Sequence, residues 1–411
     1  MLVKAARDSN LTSKAIEFQR DTRPLFLKKR FTIGESEEAL REIGALKHDE
    51  PLKVSPDAEH LSAGGEAALI QVILTWARQQ SEAKLQFWAK VTGAPAEHEK
   101  LVRRFYGVVA SACADQYVDV SGAGVERPPL KTTLLKQIAT LQSARPHDAF
   151  KGPGWATLCV DHINRSSSYT LHENSGVAAG QLRTKEEFHA VVADIRRATF
   201  PNKPALLKSE EITAIADMVY ELFRNTEEHA RSEISGHRVS RSVRGILAQA
   251  HALSPGKLAE FAGGFDPLSA YCAQLPRSPY ANAGDKLAQS PLLEISIFDS
   301  GPGFAPTIAR KPIKEMSSRE ELSFVRDCFA KNATSKGRPG FGQGLTQVMK
   351  VLAEKGGFLR LRTGRLALYA DQSRKDATLD GAGIAEWRPT QDDLPEAKGS
   401  LLSLFIPIHS A

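Results

Sequence analysis

The feature that most constrains the fold is an alternating run of residues that ends in an acidic, glycine-containing turn. Residues 292–298 have the alternation of a β-strand, and Asp299, Gly301 and Gly303 follow directly. Glycines in such a turn allow positive φ and let a flat ligand approach the backbone. A carboxylate there can accept a hydrogen bond from an exocyclic amino group. The segment predicts a strand that leads into a binding turn, although an ordinary turn can have the same residues.

A long helix with one polar stripe is predicted upstream of that strand. It runs from Glu210 to about Arg231, with Ser209 as its N-cap. Glu221, Asn225 and Glu228 recur at helical spacing and share a stripe beside the apolar one. Two carboxylates and an amide at the edge of a core can bind a hard cation and polarise a water. Taken alone, the stripe is more typical of a solvated helix face.

A glycine-rich segment precedes a second predicted helix, residues 345–353. Its glycines are Gly337, Gly340, Gly342 and Gly344. Such an approach to a helix N-terminus presents backbone N–H groups and the positive end of the helix dipole to an anion, typically a phosphate. The spacing satisfies neither G-x-G-x-x-G nor the P-loop pattern, so those two nucleotide sites are disfavoured.

Taken together and in this order, the three segments resemble the N-box and the two glycine boxes of the GHKL ATPases. This family contains gyrase B subunits, heat-shock chaperones, sensor histidine kinases and MutL-type repair proteins. The resemblance covers roughly Leu182 to the C-terminus. It implies an α/β (α+β) protein with a C-terminal Bergerat-type sandwich, in which helices lie on one face of a mixed sheet. It also implies ATP and Mg²⁺ as cofactors, beneath a mobile lid.

The resemblance implies a role for each matching residue. Glu221 would be the catalytic base that orients the attacking water, and Asn225 would be a ligand of Mg²⁺. Asp299 would bind the adenine amino group, while Gly301 and Gly303 would line the base.

The other implied roles fall in or next to the predicted lid, residues 305–340. Its lysines and arginines would place positive charge over a triphosphate. Lys336, in a sequence similar to the Thr-Ser-Lys of MutL-type members, would be a second catalytic residue at the terminal phosphate. The phosphates would be met by the backbone amides of Gly340, Gly342, Gly344 and Leu345.

The chain departs from the sensor kinases of this family in two respects. The interval between Glu221 and Asp299 is longer, and the excess, residues 247–288, predicts a helical or loop insertion. The first half contains no phosphoacceptor histidine motif, so autophosphorylation within one polypeptide is disfavoured.

Composition predicts a soluble, cytoplasmic protein. A hydrophobic content of 42% and a charged content of 25% are ordinary for globular proteins. The longest mostly apolar stretch, residues 67–77, is too short to span a bilayer, and the N-terminus lacks the apolar block of a signal peptide. The cysteines are scattered and have no zinc spacing. A net charge of +6 is modest for this length, so nucleic-acid binding is disfavoured.

The length of 411 residues predicts two domains, each with its own core. We expect a peripheral arm at 1–50 and a small α/β regulatory or interaction domain at 51–150. The ATP-binding domain would follow at 151–411. In the small domain, patterns predict a strand at Lys84 and helices at 65–80, 97–114 and 130–141.

Three functions remain open. The first is a Mg-dependent switch that binds and hydrolyses ATP, an ATPase acting on a protein partner or on a second copy. The second is a kinase catalytic subunit that phosphorylates a histidine or serine of a separate protein. The third is a nucleotide-binding module without turnover, which the intact Glu221 argues against.

Overall fold

The computed structural model describes residues 24–46, 50–58, 60–149, 154–201, 206–253, 255–276, 291–330, 343–373, 383–388 and 394–408. The strands within these residues are β1 (Leu25–Leu27), β2 (Arg30–Phe31), β3 (Leu52–Val54), β4 (His60–Leu61), β5 (Lys84–Gln86), β6 (Gln116–Val118), β7 (Gly154–Val160), β8 (Val243–His251), β9 (Leu292–Asp299), β10 (Phe358–Gly364), β11 (Leu366–Asp371), β12 (Ala385–Glu386) and β13 (Ala397–Pro407). The α-helices are α1 (Ile33–Ala45), α2 (Gly65–Gln79), α3 (Ala94–Val102), α4 (Phe105–Cys113), α5 (Arg127–Leu141), α6 (Phe188–Thr199), α7 (Ser209–His229), α8 (Leu258–Ala262), α9 (Asp266–Gln274), α10 (Phe304–Ala309), α11 (Ser318–Phe329) and α12 (Gln343–Glu354).

The N-terminal part of the chain forms a four-stranded parallel sheet in the order β1-β3-β5-β6. Helices α1, α2 and α4 lie in the connections between its strands and pack on one another. The arm predicted at 1–50 is therefore wrong over residues 24–46. Leu25 and Leu27 are buried in this sheet, and Thr32 caps α1 by accepting from Glu35 N–H at 3.2 Å. The strand is too short for its pattern to stand out among the surrounding charges.

The remaining part of the chain forms a seven-stranded sheet in the order β12-β11-β10-β13-β9-β8-β7. Together the two sheets and their helices confirm the α+β class. Every described pair of neighbours in the large sheet is antiparallel, whereas the resemblance implies a mixed sheet. The connections explain why these neighbours are antiparallel. Helices α6 and α7 return the chain from β7 to the adjacent β8, and the turn at Gly364 and Arg365 joins β10 to β11.

The front face of the large sheet, which carries Leu293, Ile295 and Ile297 of β9, packs against α6, α7, α11 and α12. The predicted helix from Glu210 to Arg231 is confirmed as α7. Its N-cap is Lys208 rather than Ser209, because Lys208 is extended and its N–H donates to Glu211 Oε2 at 2.9 Å.

The rear face, which carries Glu294, Ser296 and Phe298 of β9, packs against the N-terminal part of the chain through α2 and α4. One apolar cluster joins α2 and α4 to Leu158, Val243 and Leu401 of the large sheet. Two corrections follow. The core of the N-terminal part is continuous with the rear face of the large sheet rather than separate from it, and helices cover both faces of the sheet. Both faces of the sheet carry apolar residues, and each face must be covered because exposing apolar residues to water is unfavourable.

Most predicted elements of the N-terminal part are confirmed, with one break. The helices predicted at 65–80 and 130–141 correspond to α2 and α5, and the strand at Lys84 is β5. The helix predicted at 97–114 is two helices, α3 and α4, because Arg104 has extended backbone angles between them. That break turns Phe105 and Tyr106 into the core, where each is 1% exposed.

The predicted insertion at 247–288 begins inside the sheet. Residues 247–251 belong to β8, which pairs with β7 and β9. Its described helical part consists of α8, α9 and a short 3₁₀ turn, Pro255–Lys257. Residues 277–290 lie outside the described residues.

The predicted lid at 305–340 is helical over its described part. Helices α10 and α11 occupy it, and Leu322, Val325 and Phe329 of α11 join the front core. Glu321 accepts from Arg365 Nε at 2.9 Å, which ties α11 to the β10–β11 turn. An amphipathic repeat with a Ser317 cap explains the helix. Residues 331–342, including Lys336, Gly340 and Gly342, lie outside the described residues.

Candidate functional site

A cleft of about 690 Å³ opens on the front face, between α7, the end of β9, α10 and the first turn of α12. We call it the front cleft. Its walls are mostly apolar, as those of small-molecule sites are. Its lining residues are Leu222, Asn225, Thr226, His229, Ala230, Asp299, Gly303, Phe304, Thr307, Ile308, Cys328, Gly344, Leu345, Ser400 and Leu402.

Three distant sequence segments meet in this cleft. Asn225 comes from the first segment, Asp299 and Gly303 from the second, and Gly344 and Leu345 from the third. Their convergence was predicted only from the order and content of the segments. Gly301 does not line the cleft, but its N–H donates to Asp299 Oδ1 at 2.8 Å and so orients that carboxylate.

Asp299 lies at the carboxyl end of β9 and is 7% exposed. Burial raises the pKa of its carboxyl group to about 6, against hydrogen bonds from the N–H groups of Gly301 and Ser400. Arg78 and Arg244 oppose the rise further. A carboxylate near its pKa, in an apolar wall, can accept a hydrogen bond that few competing waters reach.

Gly303 is required by the backbone at the start of α10. Its φ is +90°, a region that side chains disfavour, and an added Cβ would lie 2.9 Å from Thr363 Oγ1. Thr363 Oγ1 accepts from Phe304 N–H at 3.3 Å. The turn therefore stays close to β10 and leaves the ring of Phe304 as a wall of the cleft.

Gly344 brings α12 against the carboxylate predicted to be catalytic. An added Cβ would lie 2.6 Å from Glu221 Oε2, so any larger residue would require the Glu221 carboxylate to move. Glu221 is 9% exposed and forms an ion pair with Arg224 (Nη2 to Oε2, 2.8 Å). It is not among the cleft's described lining residues. The structure therefore places Glu221 behind the first turn of α12 rather than in the cleft.

Of the stripe predicted on α7, only Asn225 is among the described lining residues of the cleft. The structure turns Leu222, Asn225, Thr226 and His229 toward the cleft, whereas Glu228 is exposed and pairs with Arg224. Helical spacing from Asn225 could have identified His229. Ser400 could not have been identified in this way, because it enters the cleft through the pairing of β13 with β9, opposite Asp299.

One protein oxygen in the cleft is suited to Mg²⁺. The amide of Asn225 has no hydrogen-bond partner within the described residues, and it lies at the cleft wall. Mg²⁺ in nucleotide sites commonly takes one or two protein oxygens, with phosphates and waters completing its shell. Asn225 therefore fits that role.

The potential ligand atoms of Cys159, His172 and Glu227 also lie within 4.8 Å of one another, but those of His172 and Glu227 are already hydrogen-bonded. Ser168 N–H donates to His172 Nδ1 at 3.1 Å, which leaves the ring proton on Nε2, directed at Glu227. Glu227 also accepts from Arg244 Nε at 2.6 Å. A buried guanidinium beside the cluster opposes a metal cation, so we assign the cluster a structural role.

The rear side of the turn after Asp299 is in contact with the N-terminal part of the chain. Arg78, in the last turn of α2, donates to the carbonyl oxygen of Ser300 and pairs with Glu233 at 2.5 Å. Arg241, two residues before the start of β8, donates to Ala77 O at 2.6 Å. The C-terminal end of α2 therefore supports the turn that carries Asp299.

Comparison with protein-family models, with curated proteins and with solved structures found no match to this chain. Membership of the GHKL family therefore stays a prediction from the three segments. Among the described residues, no helix combines the length and hydrophobicity that crossing a membrane requires.

Proposed function

We propose that the front cleft binds an adenine nucleotide with Mg²⁺ and that the protein is a nucleotide-dependent switch of the GHKL type. The observation that supports this proposal is the convergence of Asn225, Asp299, Gly303 and Gly344 on one cleft. Each comes from a segment that the resemblance assigns to ATP.

Asp299 supplies the adenine specificity in this proposal. Its carboxylate would accept a hydrogen bond from the exocyclic amino group, and Leu222, Phe304 and Leu402 offer apolar surface to the base. Guanine presents a carbonyl at that position, which would face Asp299 as a second acceptor.

The phosphates would lie at the N-terminus of α12. The described lining of the cleft contains no lysine or arginine. Within the described residues, phosphate binding therefore depends on the backbone amides at Gly344 and Leu345 and on Mg²⁺ bound by Asn225. The bound metal would neutralise phosphate charge, and Lys336 remains the predicted catalytic cation.

ATP hydrolysis requires Glu221 to orient a water molecule at the terminal phosphate. For this, the Glu221 carboxylate would have to leave its ion pair with Arg224 and hydrogen-bond the water instead. The Arg224 ion pair and the position of Glu221 outside the cleft lining favour a second candidate, binding without turnover. A third candidate function is phosphate transfer to a partner protein, which the turnover assay below distinguishes from the other two.

Calorimetric titration of the full chain with Mg·ATP tests the proposal. We expect saturable binding, with weaker binding of Mg·GTP. Asp299→Asn should weaken Mg·ATP binding by about 1–3 kcal/mol, the loss of a hydrogen bond to a charged group. Asp327→Asn, an exposed acid on α11, is the matched control and should leave affinity unchanged. No heat and no thermal stabilisation with Mg·ATP would refute the proposal.

Turnover is measured separately, with γ-labelled ATP. Release of inorganic phosphate that Glu221→Gln abolishes would identify the ATPase, and a labelled protein would identify the kinase. Stoichiometric binding with neither product would identify the module without turnover.

A further inference from the structure

Two buried arginines join the C-terminal end of α2 to the segments that form the front cleft. Arg78, in the last turn of α2, donates to the carbonyl oxygen of Ser300, the residue after Asp299. Arg241, just before β8, donates in the opposite direction, to Ala77 O at 2.6 Å. Both arginine side chains are 9% exposed. Each part of the chain therefore supplies a guanidinium group to a backbone carbonyl of the other part.

The carbonyl oxygen that accepts from Arg78 belongs to the same peptide unit as the Gly301 N–H. That N–H donates to Asp299 Oδ1 at 2.8 Å. A trans peptide unit is planar, and its C=O and N–H groups point in opposite directions. A donor that holds the Ser300 oxygen on the rear side therefore also holds the Gly301 N–H toward the Asp299 carboxylate. The contact of Arg78 reaches the cleft through one rigid peptide.

The same turn is also in contact with β8 and α7. Ser300 N–H donates to Val243 O at 2.9 Å, and Ser300 Oγ accepts from Val243 N–H at 2.9 Å. On the other side, an added Cβ at Gly301 would lie 2.6 Å from the Cα atom of Ala230, which is the C-cap of α7 and lines the cleft. The turn is therefore packed between β8 and α7, and α2 supplies the donor for its Ser300 carbonyl.

The other end of the Arg78 guanidinium contacts the segment that follows α7. Its Nη2 pairs with Glu233 Oε1 at 2.5 Å. Glu233 lies in a turn, in which Gly236 N–H donates to Glu233 O at 2.9 Å. Helix α7 itself places Asn225 and His229 in the cleft wall. One guanidinium thus bridges the segments that follow β9 and α7, because its planar fork presents donors to two acceptors at once.

We propose that Arg78 is a positioning residue of the front cleft, which orients the Asp299 carboxylate toward the exocyclic amino group of adenine through the peptide between Ser300 and Gly301. The inference rests on the nucleotide site proposed above and adds to it a residue from the N-terminal part of the chain. None of the described lining residues of the cleft belongs to that part, so its effect on the ligand is indirect. The packing of α2 on the rear face thereby affects which base the front cleft binds.

Calorimetric titration of the Arg78→Met chain with Mg·ATP and Mg·GTP tests the proposal. Methionine donates no hydrogen bond, so the Ser300 carbonyl loses its rear contact. We expect Mg·ATP to bind about tenfold more weakly, the effect of one misplaced hydrogen bond to a charged group, and the preference over Mg·GTP to narrow by a similar factor. Arg78→Lys, which keeps a charged donor for Ser300 O, should recover most of that preference. An unchanged preference in Arg78→Met would overturn the inference.

Arg241→Met is the matched control, because it removes the reciprocal contact with Ala77 and leaves the Ser300 carbonyl paired with Arg78. It should lower the stability of the chain without changing the preference for Mg·ATP. An equal narrowing of the preference in both variants would assign Arg78 a general structural role and overturn the inference.

Amide hydrogen exchange at Gly301, measured without nucleotide, gives a readout that does not depend on the proposed function. Exchange should be about tenfold faster or more in Arg78→Met than in the unmodified chain, because the Gly301 N–H is no longer held toward Asp299. Unchanged exchange would overturn the inference. Failure of the unmodified chain to bind Mg·ATP would instead refute the nucleotide site, and the exchange result would then still show whether Arg78 orients the Asp299 carboxylate.

Discussion

The two faces of the large sheet are stabilised by different chemistry. On the front face, the residues in the middle of the central strands are apolar, and the charged groups Asp299 and Arg244 lie at strand ends. On the rear face, Glu294, Arg360 and Arg362 are fully buried in the middle of the sheet. The front face packs against α6, α7, α11 and α12, whereas the rear face packs against the N-terminal part of the chain.

Arg362 and Glu294 are paired with groups of that N-terminal part, and Glu294 also contacts His251 of β8. Arg362 makes a two-pronged ion pair with Glu37 of α1, at 2.8 and 3.0 Å. Glu294 Oε2 accepts from Gly64 N–H at 2.9 Å and from His251 Nε2 at 2.7 Å. Burial alone would raise the pKa of Glu294, yet the hydrogen bond and charge of His251 lower it. The comparison teaches that the rear contact is specified by polar pairing, and the front contact by apolar packing.

The largest expected effect comes from breaking the rear ion pair. Glu37→Ala should lower the free energy of unfolding by about 3–5 kcal/mol, because it leaves the buried Arg362 guanidinium without its counter-charge. Denaturant unfolding measures this change. Glu38→Ala, its exposed neighbour, should stay within about 0.5 kcal/mol of the unmodified chain. Equal losses in the two variants would mean that the rear pair is not what stabilises this contact.

Arg360 lies on the same strand as Arg362, and we expect its replacement to raise the free energy of unfolding rather than lower it. It is 1% exposed, its guanidinium nitrogens have no hydrogen-bond partner among the described residues, and burial lowers its pKa to about 10. Arg360→Met should raise the free energy of unfolding by about 1 kcal/mol, since the cost of burying this charge exceeds its attraction to Glu37 and Glu294. Arg362→Met, the paired control, should lower it. A loss of stability in Arg360→Met would contradict the unpaired assignment.

On the front face, Gly344→Ala tests the close contact of α12 with α7. The added methyl group would overlap Glu221 Oε2, and we expect a loss of about 1–3 kcal/mol in stability by thermal or denaturant unfolding. Gly124→Ala, where nothing lies within 4 Å of the new methyl group, is the matched control. Adding Glu221→Ala to Gly344→Ala should recover part of the loss. Failure of that rescue would show that the clash lies elsewhere.

The smallest expected effect is the change in Mg·ATP affinity on protonation of Asp299. Because the pKa of Asp299 is about 6 and the proposed ligand donates to its carboxylate, Mg·ATP affinity should fall as pH drops below 6, by about 1.4 kcal/mol per pH unit. Affinity should be flat from pH 7 to 8. In Asp299→Asn this dependence should disappear.

His229 also lines the cleft and titrates, with a pKa that burial lowers, so it serves as the control for that profile. His229→Gln should retain the fall in affinity below pH 6. A flat profile in His229→Gln, with the fall retained in Asp299→Asn, would assign the titration to the histidine instead.

Much of the front site could be predicted from local sequence. The helix that carries Asn225 and the strand that ends in Asp299 follow from patterns a few residues long, which propensity and burial already determine. The first turn of α12 followed from Gly344 and the apolar repeat after it. The prediction that these segments meet in one cleft came from the family resemblance, because no local sequence pattern indicates which distant segments are in contact.

The tertiary structure alone decided the rest. Ser400 reaches the cleft only because β13 pairs with β9, and Arg362 is buried only because Glu37, far away in sequence, compensates its charge. The same holds for Arg78, whose contact with Ser300 joins α2 to the turn after Asp299. Strand order and the covering of a second face arise from contacts between distant residues, so a short window of sequence determines an element but not its neighbour.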